Sequence, residues 1–159
     1  MARMLVNGDD VVVRLTLRER AAARRRDVRV PLAAVRRVTV EADWWRALRG
    51  VPRHGVSVPG ARSIGTRRHQ AGTDFVVVRP GEPVVCVELR PPAPFRLLSV
   101  GAPTLAQARA TARALVRAAP GLDPSTPCRQ PLPVPEEDPG GATTALPEAA
   151  PRPPRPPLP

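Results

Sequence analysis

The chain has 159 residues, enough for one modest hydrophobic core, and 14 of its 23 prolines fall after residue 119. All 25 basic residues are arginine, set against 14 carboxylates for a net charge of +11, and residues 1–119 hold 22 of the arginines against 9 acids. This balance disfavours cationic partners and points to lipid, nucleic acid or an acidic protein, and no apolar run reaches the length of a membrane-spanning helix. Arg, Ala, Pro, Gly and Val together are what a genome of high G+C content encodes, which accounts for the missing lysine without any selection for guanidinium groups.

The opening stretch, MARMLVNGDD, lacks the apolar run of a signal peptide, so the chain is expected in the cytoplasm. In DVVVRLTLR at 10–18, Val13, Leu15 and Leu17 alternate with Arg14, Thr16 and Arg18, the period of a half-buried strand. RERAAARRR at 18–26 predicts a basic helical connection. VRVPLAAVRRVTVE then resumes β-branched residues, with Pro31 dividing two short strands.

EADWWRALRG, residues 41–50, sets both tryptophans side by side in a chain with no tyrosine and two phenylalanines. Asp43 is expected to cap a short helix over 44–49 that Gly50 ends. On such a turn Trp44 and Leu48 face inward, and Trp45 lies outward beneath Arg49 in a cation–π contact. Residues 50–72, punctuated by glycine and proline, read as a long connection with a short strand near 61–66. Three clearer strands follow: TDFVVVR at 73–79, PVVCVELR at 83–90 and FRLLSV at 95–100, with PGE closing the first pair as a tight hairpin.

Thr104 and Gln107 fit a capping box, and Leu105, Ala108, Ala112, Leu115, Val116 and Ala119 fall at helical spacing. A helix is therefore predicted over 105–119, stopped by Pro120-Gly121, with Arg109, Arg113 and Arg117 as its solvent stripe. Residues 120–159, ending PRPPRPPLP, hold too few apolar clusters to offset their ordering entropy and are expected to be disordered.

Six or seven short antiparallel strands followed by one amphipathic helix define a mainly β (β+α) domain over residues 1–119, a small barrel or curved sheet closed by its C-terminal helix. The succession VVVRLTL, VRVPLAAVRRVTV, WRALRG, PGARSIGTRR, DFVVV and VVCVELR, over residues 8–119, resembles the bacterial pleckstrin-homology-like (PH-like) proteins of actinobacteria. The most telling pieces are VPLAAVRRVTV at 30–40 and Gly65-Thr66 with Asp74-Phe75. The resemblance implies the PH-like superfold, whose members bind phosphoinositides, peptides or one another. In phosphoinositide-binding members the basic residues lie on the first two strands and the loop joining them. Arg14, Arg18 and Arg24–Arg26 occupy a comparable stretch, and the absence of the usual lysines implies a generic anion preference.

Patterns for catalysis are missing. His54 and His69 stand in Arg- and Gly-rich segments without a partner at ligand spacing, there is no CxxC, and both read as exposed loop histidines, so no metal or cofactor is expected. HGVSVPG at 54–60 has Pro59 where a nucleophile elbow needs glycine. Cys86, in a strand, and Cys128, in the tail, read as two reduced thiols.

The expected function is a non-catalytic binding module rather than an enzyme. Arg18, Arg24, Arg25 and Arg26 in one cluster and Arg62, Arg67 and Arg68 in another are the anion-binding candidates, because guanidinium forks pair bidentately with phosphate. Trp45 and Arg49 are the interface candidates, an indole among arginines suiting the headgroup boundary of an anionic bilayer. The expected partner is an anionic membrane surface, with the chain peripheral at the inner membrane face, or a protein. Nucleic acid fits less well, since single-strand recognition uses several stacking aromatics. Self-assembly through an exposed sheet edge is a further reading, and the tail's PxxP matches, such as Pro151–Pro154, would suit a protein partner.

Overall fold

The computed structural model describes residues 1–122, so the expected disordered tail lies, from 123 onward, outside the described residues. Nine strands and two helices form: β1 Arg3–Asn7, β2 Asp10–Arg14, α1 Leu17–Ala23, β3 Val28–Pro31, β4 Val35–Glu41, β5 Val51–Val58, β6 Arg62–His69, β7 Gly72–Val78, β8 Val84–Leu89, β9 Leu97–Gly101 and α2 Leu105–Ala118. They make a sheet of order β1-β2-β3 and a larger one of order β4-β8-β9-β7-β6-β5. The class is mainly β with a C-terminal helix, as expected, but the described strands number nine and make two sheets rather than a closed barrel.

The expected strand over 10–18 stops at Arg14 because local capping overrides alternation. The Thr16 hydroxyl accepts from the Glu19 backbone N–H at 3.3 Å, and Glu19 Oε2 accepts from the Thr16 N–H at 3.0 Å. This reciprocal box starts α1. Leu17, expected to point inward, becomes the first residue of that helix and is 82% exposed.

The glycine-rich stretch 50–72 is not a loop but a long hairpin, β5 and β6, in register from Val58–Arg62 to Val51–Arg68 with a bulge between Pro52 and His54. Gly55 and Gly65 are register partners with φ of +111° and +136°, and a Cβ on either would lie 2.0–2.1 Å from a carbonyl oxygen of the opposite strand. These glycines therefore permit a close backbone approach inside a sheet.

The hairpin expected between β7 and β8 does not form. β9 inserts between them, parallel to β7 from Asp74–Leu97 to Val77–Val100 and antiparallel to β8. Every residue of β9 is buried, as suits a strand in the middle of a sheet covered on both faces.

The inner face of the larger sheet, with Ile64, Phe75, Val77, Val87 and Leu98, shares one core with the smaller sheet and with Ala108 and Leu115 of α2. Leu105 and Val116, expected on the buried face of α2, are 39% and 46% exposed, so the helix buries a narrower stripe than its spacing suggests. The outer face carries a second cluster of Ala47, Val78, Val84, Cys86 and Leu97, covered by Trp44 and Leu48. The ordered body also runs past 119: Arg90 donates to the Gly121 carbonyl and Leu122 packs against the inner core.

Candidate anion-binding surface

Glu19 fixes the position of α1. The residue is 1% exposed, and its carboxylate accepts from the Ala2 N–H at 3.0 Å, from the Thr16 hydroxyl at 2.8 Å and from Arg79 Nη2 at 3.3 Å. Burial alone would raise its pKa, but the hydrogen bonds from Thr16 and Ala2 outweigh that and hold the carboxyl below its ordinary value. Asp27 ties down the other end of the segment by accepting from the Leu15 N–H at 2.9 Å and from Arg20 at 3.0 Å.

Held this way, α1 lies against β5 and β6 and brings together the two arginine clusters that are separate in the sequence. Residues two apart on a strand share a face. Ile64 belongs to the inner core together with Ala23 of α1, so Arg62 and Arg68 project on the α1 side of β6. Arg18, Arg24, Arg26, Arg62 and Arg68 are exposed, and none joins an ion pair among the described residues. Arg25 is also exposed, its guanidinium lying over the Phe95 ring at 4.9 Å. Arg24 closes α1 in a left-handed conformation, φ 50°, the one non-glycine residue with positive φ among those described.

Arg67 does not belong to this surface. It projects from the opposite face of β6 and donates to the carbonyl oxygens of Arg49 at 3.0 Å and Gly50 at 2.6 Å, so it clamps the chain rather than waiting for a ligand. Arg49 is likewise engaged. Its Nε and Nη2 donate to the two carboxylate oxygens of Asp74, each at 2.7 Å, and those hydrogen bonds hold the guanidinium above its ordinary pKa. Asp74 is fully buried and also meets His69 Nε2 at 3.0 Å, which corrects the reading of His69 as an exposed loop residue.

The tryptophans divide as expected, Trp44 against the outer cluster and Trp45 57% exposed, but the details differ. The turn is a 3-10 helix over Trp44–Ala47 that Asp43 does not cap. Asp43 instead sits 3.3 Å from Arg46, and it is Arg46, not Arg49, whose guanidinium lies over the Trp45 ring, at 5.1 Å. Trp45 and α1 are carried on opposite faces of the larger sheet, so the tryptophan and the exposed arginines do not form one patch.

Two other features bear on chemistry. Burial pushes the Cys86 thiol up to about 12, so it is protonated and inert at neutral pH. A cavity of about 410 Å³ lies between Met1–Met4, the end of β9 and the first turns of α2, and Arg3 is its one charged lining side chain. None of the candidate arginines reaches it.

Sequence reasoning missed Asp74, although an acid inside TDFVVV is a visible signal for a buried partner, and missed the Thr16-x-x-Glu19 box that turns Leu17 outward. A scan of protein families, a search of curated proteins and a search of solved structures each return no match to this chain.

Proposed function

We propose that this protein is a non-catalytic binding module that docks on an anionic membrane surface through the arginine face of α1 and β6. The observation carrying the reading is the set of exposed guanidinium groups that join no ion pair among the described residues: Arg18 on α1, Arg24 and Arg26 just past its end, and Arg62 and Arg68 on the adjacent β6. Near an anionic bilayer each contributes roughly 1 kcal/mol of attraction. No described helix is long and apolar enough to cross a membrane, so docking by this route is peripheral. Phe75 and Phe95 are buried and Trp45 stands on the opposite face of the sheet, which leaves this surface without the stacking platforms that single-stranded nucleic acid uses. The PH-like resemblance points the same way.

The test is co-sedimentation of the full chain with phosphatidylcholine vesicles, with and without phosphatidylglycerol, at low and high salt. Binding is expected only with phosphatidylglycerol, reversed by salt, and at least roughly tenfold weaker in R62Q/R68Q. Equal pelleting with neutral vesicles, or an unchanged double variant, overturns the reading.

One observation favours a second reading, strand addition by a protein partner. β5 ends the larger sheet and is exposed along nearly its whole length. Pro52 and the bulge guard its first half, but Gly55–Val58 carries no such protection. If that edge is used, self-association in sedimentation velocity disappears in S57P.

A further inference from the structure

We propose that Leu17 and Val58 form an apolar wedge, flanked by Arg18 and Arg62, that enters the interfacial region of an anionic bilayer; this rests on the membrane reading given above. Leu17 is the most exposed large hydrophobic side chain described, at 82%, and Val58 is 44% exposed. A lone exposed leucine is ordinary on a protein surface. Two such side chains on neighbouring elements, beside two arginines outside every ion pair among the described residues, are a different matter.

The placement follows from contacts along α1. Glu19 pairs with Arg79, the residue after Val78, and Val78 is the register partner of Ser63, next to the Val58–Arg62 pair. The first turn of α1 is thereby held at the Val58–Arg62 end of the hairpin. At the other end, Arg25 lies over Phe95, and the following residue, Arg96, donates its N–H to Thr73, the register partner of Arg68. Val58 shares its strand face with Val56, which pairs with the inward Ile64, so Val58 and Arg62 both point to the side that α1 occupies.

Within α1 the buried residues are Glu19 and Ala23, one turn apart, and Leu17 lies off that face. Among the described residues its side chain belongs to neither apolar cluster. An apolar tip ringed by cations matches the headgroup boundary of an anionic bilayer, where the arginines meet phosphates and the aliphatic groups leave water. Trp45 is not that anchor, since Trp44 and Leu48 hold its turn on the outer face of the sheet.

The experiment places a reporter at the tip. Full-length L17W in a W45F background is titrated with phosphatidylcholine vesicles with and without phosphatidylglycerol, alongside W45F alone and L17S. The expected result is a blue shift of L17W emission with phosphatidylglycerol only, no shift in W45F alone, and roughly tenfold weaker pelleting of L17S. Pelleting without a shift, together with unaltered L17S binding, overturns the wedge and leaves the arginine-driven docking standing. A wild-type chain that binds no vesicles, or that binds double-stranded DNA in their place, overturns both.

Discussion

Asp74 is the residue on which the outer face of the larger sheet turns. Two parallel hydrogen bonds from Arg49 and one contact from His69 satisfy a carboxylate that has no access to water, and Arg67 secures the backbone that carries Arg49. Removing the charge would leave the guanidinium, 39% exposed, without its charged partner, a defect that water partly offsets and that costs about 1–3 kcal/mol. D74N is therefore expected to lower the urea midpoint by that equivalent at an unchanged slope. Glu19 makes a pH-dependent contribution. Its folded pKa lies below the ordinary 4.5, so its stabilisation is complete above that value and drains away as pH falls through the lower, folded one. E19Q is expected to destabilise the chain at neutral pH and to flatten the loss of stability below about pH 4.5, as thermal melts across that range would show.

At the scale of elements, the β5–β6 hairpin is the part whose backbone leaves least freedom. Gly65 sits at φ +136° with the His54 carbonyl 2.0 Å from where its Cβ would be. G65A has to separate the strands as well as adopt a strained φ, and strain alone costs about 1–3 kcal/mol. The expected outcome is a urea midpoint lowered by more than that strain alone, whereas G8A, whose Cβ would meet nothing within 4 Å, has only its φ to contend with. The same hairpin shows where sequence reasoning ran short. Glycines and prolines over 50–72 have the composition of a loop, and only pairing with a second strand reveals that Gly55 and Gly65 face each other. Strands β7, β8 and β9 and helix α2 were legible, because β-branched runs and helical spacing are local signals. Their order in the sheet was not, because the insertion of β9 between β7 and β8 is a tertiary choice that no turn sequence encodes. Among the candidate residues, exposure of the Arg24–Arg26 run was legible from the chain. The different fates of Arg67 and Arg68 depend on strand parity, which required the sheet.

At the scale of the whole molecule, the question is whether net charge or its placement governs docking. Residues 1–119 hold 22 arginines against 9 acids, so any anionic surface attracts the body as a whole. Arg109, Arg113 and Arg117 are exposed on α2, which packs against β1, β4 and β8, whereas Arg18, Arg62 and Arg68 are spread along the side on which α1 packs against β5 and β6. At physiological ionic strength the screening length is about 8 Å, short compared with a domain of this size, so only cations close to the membrane contribute fully. R109Q/R113Q/R117Q and R18Q/R62Q/R68Q remove the same formal charge from different places. Vesicle co-sedimentation is expected to show the second triple variant losing affinity at least roughly tenfold more than the first, with the gap narrowing as salt rises. Equal losses would mean that the body is drawn in by its total charge without a preferred orientation. The arginine face would then be one part of a uniformly basic surface, and the Leu17–Val58 tip would have no fixed position relative to the bilayer.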